Sequence, residues 1–229
     1  MSRMSSLACC AAIALVLAVL PATPAGRDQT HDGWRRIFKV EKSNLSSTGR
    51  NTYFVLEPGY RLTYRNGKDT LVITVLDQTR TVDGVVTRVV EERETEGGEL
   101  AEVSRNYFAI DKATGDVYYF GEEVDIYEGG KVTGHEGAWL SGDKGATFGL
   151  MMPGKPVIGD RYYQEVAPGV AMDRAEIVSL TEAAKVPAGS FAGCLRVRES
   201  SALESGSEEK VYAPGVGLVI DGSFVLVSK

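Results

Sequence analysis

Five carboxylates crowd one stretch of the chain: Asp111, Asp116, Glu122, Glu123 and Asp125. Hard oxygen ligands from one hairpin and its neighbours are what calcium requires, so this stretch is a candidate calcium site. Its spacing departs from the twelve-residue calcium loop, with Gly at position six and Glu at twelve. Asp also gathers in turns to bond its own backbone, so a solvated acidic turn is the plain alternative. His135, in the segment Thr133 to Trp139, adds a candidate general base or metal ligand beside Glu136. The only other histidine is His31, so a two-histidine site requires that residue to fold back. The thioethers of Met151 and Met152 are ligands that copper accepts, core packing being the alternative.

Other chemistry is sparse. Cys194 lies between Gly193 and Leu195 with no adjacent base, the setting of a buried small apolar residue and not of a nucleophile. No Gly-x-Ser-x-Gly, His-Glu-x-x-His or Cys-x-x-Cys is present, nor a phosphate-cradling glycine loop, so no positive argument for an enzyme arises. Aromatics concentrate between Tyr107 and Tyr163. Along a strand Tyr118 and Phe120 share one face and Tyr119 takes the other, which implies either two covered faces or a curved sheet around an apolar concavity. Trp139, Tyr119 and Met151 are the expected lining of such a pocket.

These residues must be positioned by strands. From Tyr60 onward, alternating apolar and polar residues are interrupted at close intervals by turn chemistry: Asn66-Gly67, Asp83-Gly84, Gly97-Gly98 and Gly129-Gly130. No window of useful length repeats apolar residues at three-and-four spacing, and the best helical candidate, Thr181 to Lys185, is a single turn. The expectation is an all-β fold, an antiparallel sandwich or strongly curved half-barrel of about ten to twelve strands.

The first residues carry an address. Arg3 precedes an apolar run from Leu7 to Leu20, closed by small residues to Ala25. Residues 1–25 read as a secretory signal peptide, since the run of about 14 residues is shorter than a membrane span. Residues 26–50 read as a polar N-terminal arm and 51–229 as a single β domain, exported to a periplasm or beyond the cell, with no transmembrane segment. Cys9 and Cys10 fall within the leader, leaving Cys194 without a disulfide partner. The full chain carries 25 Lys and Arg against 31 Asp and Glu, a net charge of −6, with no polybasic stripe. Nucleic acid and anionic membrane surfaces are therefore excluded as partners.

Three stretches form a pattern together. VYYFGEE at 117–123 is followed by YEGGKV at 127–132 and HEGAW at 135–139; VPAGSF at 186–191 runs on to CLRV at 194–197; YAPGVGLV occupies 212–219. Their order and spacing resemble a family of uncharacterised secreted bacterial β-proteins, which also open as YFVLEPG does at 53–59. The resemblance covers about residues 51 to 220. In that family the turn before Tyr118 is often richer in acids; Ala113 stands at the middle acidic position here, which weakens the metal reading. The expected function is a secreted, non-enzymatic binding module for an apolar small molecule or an envelope protein. A calcium-binding or, less simply, copper-binding β-protein is the alternative, and a hydrolase-like enzyme comes third.

Overall fold

The computed structural model describes residues 33–229. The segment 1–25, Cys9, Cys10 and His31 lie outside the described residues. After one turn of 3-10 helix at Lys42–Asn44 come three short strands, β1 (Leu45–Ser46), β2 (Gly49–Asn51) and β3 (Phe54–Leu56). A meander follows: β4 (Arg61–Asn66), β5 (Asp69–Val82), β6 (Val85–Glu96), β7 (Glu99–Asp111) and β8 (Val117–Glu128). Short strands β9 (Lys131–Gly134), β10 (Trp139–Leu140), β11 (Thr147–Met152), β12 (Arg161–Tyr163) and β13 (Glu165–Val166) lead to a second meander. It comprises β14 (Asp173–Val186), β15 (Gly189–Ser201), β16 (Glu208–Ala213), β17 (Gly217–Asp221) and β18 (Phe224–Ser228). Several strands are only two or three residues long, too short to display alternation, so the strands outnumber those expected.

Turn chemistry sets the hairpins. Asp83 and Gly84 adopt φ of 48° and 74° between the paired residues Val82 and Val85, the two-residue turn whose twist matches that of its strands. At the Asn-Gly signal the hairpin forms, but Asn66 pairs with Asp69 and the loop is Gly67-Lys68.

Sixteen strands join in one sheet, and β2 pairs with β3 apart from it. The principal path runs β12-β14-β15-β16-β17-β18-β4-β5-β6-β7-β8-β11-β13, with the two meanders joined where β18 lies beside β4. The path begins at β12 and ends at β13, and in the chain these two are separated by Gln164 alone. One kinked segment thus pairs with β14 through Arg161–Tyr163 and with β11 through Glu165–Val166, and the antiparallel sheet curls into a nearly closed barrel. Gly149 on β11 makes that approach sterically feasible: a Cβ there would lie 2.3 Å from the Gln164 carbonyl oxygen.

The interior face follows from alternation. Val90 and Glu92 on β6, Ser104, Asn106 and Phe108 on β7, and Lys210 and Tyr212 on β16 point inward. A one-residue bulge in β8 puts Tyr119 and Glu122 on the same interior face, opposite Phe108 and Asn106 of β7. The outward residues make ion pairs: Arg161–Glu176 at 2.9 Å, Arg196–Glu209 at 3.0 Å and Arg105–Asp125 at 3.1 Å. Paired charges thus occupy outward positions on β7, β8, β12, β14, β15 and β16. Among the described residues no helix is long and apolar enough to cross a membrane.

The β2–β3 hairpin closes one end of the barrel. Asn51 donates through Nδ2 to the carbonyls of Gly115 (2.8 Å) and Pro153 (3.0 Å), while Gly215 donates its N–H to Thr52 O (2.7 Å). The hairpin is therefore tied to turns on both sides of the opening. Further back in the chain, Arg35 bridges Tyr162 in parallel, exchanging backbone hydrogen bonds of 3.1 and 2.9 Å with Arg161 and Tyr163. Phe38 packs edge-on against Tyr118. Within the stretch read as a polar arm, Arg35 thus pairs at the barrel's seam, Phe38 packs on β8, and Leu45–Ser46 pair with β7.

Candidate functional site

Two adjoining cavities occupy the barrel. The first, of about 90 Å³, is floored by Tyr53, Phe54 and Val55 of the closing hairpin and walled by apolar side chains such as Ile73, Val90 and Leu218. The second, of about 220 Å³, is polar, bordered by Glu92, Glu102, Ser104, Asn106, Tyr119, Glu122, Gln164, Glu165, Asp173 and Glu199. Glu92, Phe108, Met151 and Lys210 border both. The lumen therefore grades from an apolar floor to an acidic mouth.

Two wall strands, β6 and β15, make the same transition. On β6 the interior positions run Val90, Glu92, Glu94; on β15 they run Leu195, Val197, Glu199. Ile73 of β5 pairs with Glu92, and Leu71 with Glu94, so apolar neighbours flank these acids. Gln164 and Glu165 come from the segment that completes the barrel. Gln164 donates to Glu199 Oε1 (2.8 Å), and Glu165 accepts the Asp173 N–H at Oε1 (2.6 Å).

Six carboxylates border the polar cavity, and the only cation among its lining residues is Lys210. That ammonium is already committed, 3.1 Å from both Glu199 and Asp221. Burial works to lower its pKa, but the carboxylates of Glu199, Asp221 and Glu208 outweigh that and hold it well above the usual lysine value. The acids move upward. Burial, with Asp221, Glu122 and Glu102 adding repulsion against the pull of Lys210, pushes Glu92 up to about 7. Glu122 is also pushed up to about 7 by burial, offset by a hydrogen bond from Tyr119 and reinforced by Glu102 and Asp173. Burial raises Glu102, and burial with the charge of Asp173 holds Glu165 well above the carboxylate range. Tyr119 Oη also lies 2.5 Å from Asn106 Oδ1, its acceptor, and its ring stacks on Phe108 with centroids 4.8 Å apart.

The residues singled out from sequence separate into groups. Tyr119 and Met151 border the cavity. Trp139 is buried behind them, edge-on to Tyr119 at 5.3 Å, in a small cluster with Ala146 and Ala167. Of the acidic stretch, Glu122 alone reaches the lumen. Asp111 Oδ1 accepts the N–H groups of Ala113 (2.7 Å) and Thr114 (3.2 Å). Asp116 accepts from Gly154 N (2.7 Å), Thr114 Oγ1 (2.9 Å) and Tyr118 Oη (3.3 Å). Glu123 is paired with Arg80 and accepts from Tyr107 Oη. Asp125 meets Arg105, and His135 Nδ1 lies 3.2 Å from Asp125 and 2.7 Å from the Val124 carbonyl. Met152 is buried in the core, and Cys194 is fully buried with its thiol pushed up by burial. Among the described residues no three His, Cys, Asp or Glu side chains are grouped to hold a metal ion.

The interior acids Glu92, Glu102, Glu165, Asp173 and Glu199, with Gln164 and Lys210, were missed by sequence reasoning. A signal was present in Val90-x-Glu92-x-Glu94 and Leu195-x-Val197-x-Glu199, where the acids share parity with apolar residues. Comparison with protein-family models, curated proteins and solved structures returns no match, so the chemistry of the lumen has to be argued from its own residues.

Proposed function

We propose that this chain is an exported binding protein that holds a small, partly apolar molecule inside its barrel, without catalysing its conversion. The observation that carries this reading is the pair of adjoining cavities sharing Glu92, Phe108, Met151 and Lys210. Concave apolar sites with a few convergent polar groups are the usual form of small-molecule sites, and barrel mouths are among their usual places. The leader-like first 25 residues, and the resemblance to secreted bacterial β-proteins, support an extracytoplasmic setting. The closing hairpin supports a carrier over a channel, because it fills the end opposite the acidic mouth.

The size of the apolar chamber favours a short alkyl chain or one ring over a long acyl chain. Native mass spectrometry of the full protein purified from its own host tests the reading. An organic adduct is expected, and it should be lost in Ile73→Trp, which fills the chamber. A clean apo mass, together with no binding of hexanol by calorimetry, would overturn it.

A further inference from the structure

The head group of the ligand can be inferred from the mouth. This step rests on the proposed lumen site and narrows its chemistry. We propose that the lumen receives an organic cation, a short-chain primary alkylammonium, with its tail in the apolar chamber and its ammonium between Glu92, Glu122 and Glu165.

Three independent features of the cavity point the same way. First, the shared border places Glu92 where a tail in the first chamber must connect to a head in the second. Second, carboxylate oxygens on the cavity wall lack protein donors. Glu165 is only 3% exposed and takes one backbone donor at Oε1, with none at Oε2 among the described residues. Glu92 and Glu102, half-buried on the cavity wall, have no hydrogen-bond donor among the described residues. Carboxylate oxygens that face a cavity without protein donors are open to a ligand, and an ammonium brings three donors with the charge that such acceptors favour. Third, Phe108 borders both chambers and Tyr119 borders the second, so an alkyl tail meets aromatic carbon directly beside the acids.

The competing ligand chemistries fit less well. A carboxylate-headed ligand would need Lys210, which is bound to Glu199 and Asp221 and surrounded by acids. A bare metal ion needs at least three close ligands, and the described residues hold no such group. An ammonium can instead span acceptors that are spread around a wider space. Because each buried methylene adds a roughly constant increment, affinity should rise about fourfold per carbon until the small chamber is full.

The test is calorimetry of the full protein with three ligands of equal chain length: hexylammonium, hexanol and hexanoate. Hexylammonium should bind at least tenfold more tightly than hexanol, and hexanoate should not bind. Glu92→Gln and Glu122→Gln should each weaken hexylammonium about tenfold and leave hexanol unchanged, with thermal melts confirming that both variants fold. Equal binding of hexanol and hexylammonium would overturn the head-group inference while leaving the apolar lumen intact. Preference for hexanoate would overturn it in favour of Lys210 as receptor. Absence of binding by all three would overturn the lumen site itself.

Discussion

At the scale of single residues, the same side-chain type does different work on two faces of one hairpin. Asp111 and Asp116 were legible as turn acids, and their oxygens are spent on backbone and hydroxyl donors that shape the 111–118 turn. Calcium there would have to displace those bonds, while Glu123 pairs with Arg80 and Asp125 with Arg105. The expected outcome is a thermal melt unchanged by millimolar calcium or by chelator; stabilisation that saturates with calcium would restore the metal reading. Glu122, one residue from the solvent-facing Glu123, was grouped with these acids because nothing local distinguishes the two. The β8 bulge sends it inward instead. A bulge shifts parity without altering composition, which is why the sequence conceals it.

At the scale of elements, the hairpins and the all-β character were readable because turn dipeptides and alternation are local signals. Val82-Asp-Gly-Val85 dictates its hairpin whatever surrounds it. Closure was not readable, because it depends on Arg161–Val166 pairing with β14 on one side and β11 on the other, contacts that no local pattern encodes. The single trace of it is Gly149, where any side chain would meet the Tyr163 and Gln164 carbonyls. Gly149→Ala should therefore cost about 1–3 kcal/mol, as other overpacked sites do. For a chain of this size that lowers Tm by roughly 2–4 °C per kcal/mol. Because Gln164 and Glu165 line the mouth, the variant should also lose hexylammonium affinity. A Tm equal to that of the unsubstituted protein would mean that the close approach does not define the seam.

At the scale of the whole molecule, an interior that is half acidic makes stability depend on pH with an unusual sign. Sequence patterning gives only parity, and an acid on a strand is by default assigned to the solvent side. Inside the barrel, Glu92 and Glu122 sit at about 7 instead of the ordinary carboxylate value, with Glu102 and Glu165 raised as well. Between the unfolded and folded values the native chain binds protons that the unfolded chain has released, so folding stability falls as pH rises through that window. The contribution is fully present below about 4.5 and is lost by the time pH passes about 7. Glu57 and Glu123 act oppositely, their pKa values lowered by Arg50 and Arg80, but they lie near the surface and weigh little. Tm should therefore be higher near pH 5.5 than near pH 8, by an amount on the order of a few degrees. Glu92→Gln combined with Glu122→Gln should raise Tm at the alkaline end and flatten the profile; an unaltered slope would place the responsible protons elsewhere. An alkylammonium bound between Glu92, Glu122 and Glu165, with Glu102, Asp173 and Glu199 around it and the Lys210–Asp221 pair beside it, would relieve that same repulsion. Its stabilising effect should accordingly grow with pH as the empty barrel weakens, and near neutrality its binding should release protons from the mouth, measurable as a dependence of binding heat on buffer ionisation enthalpy.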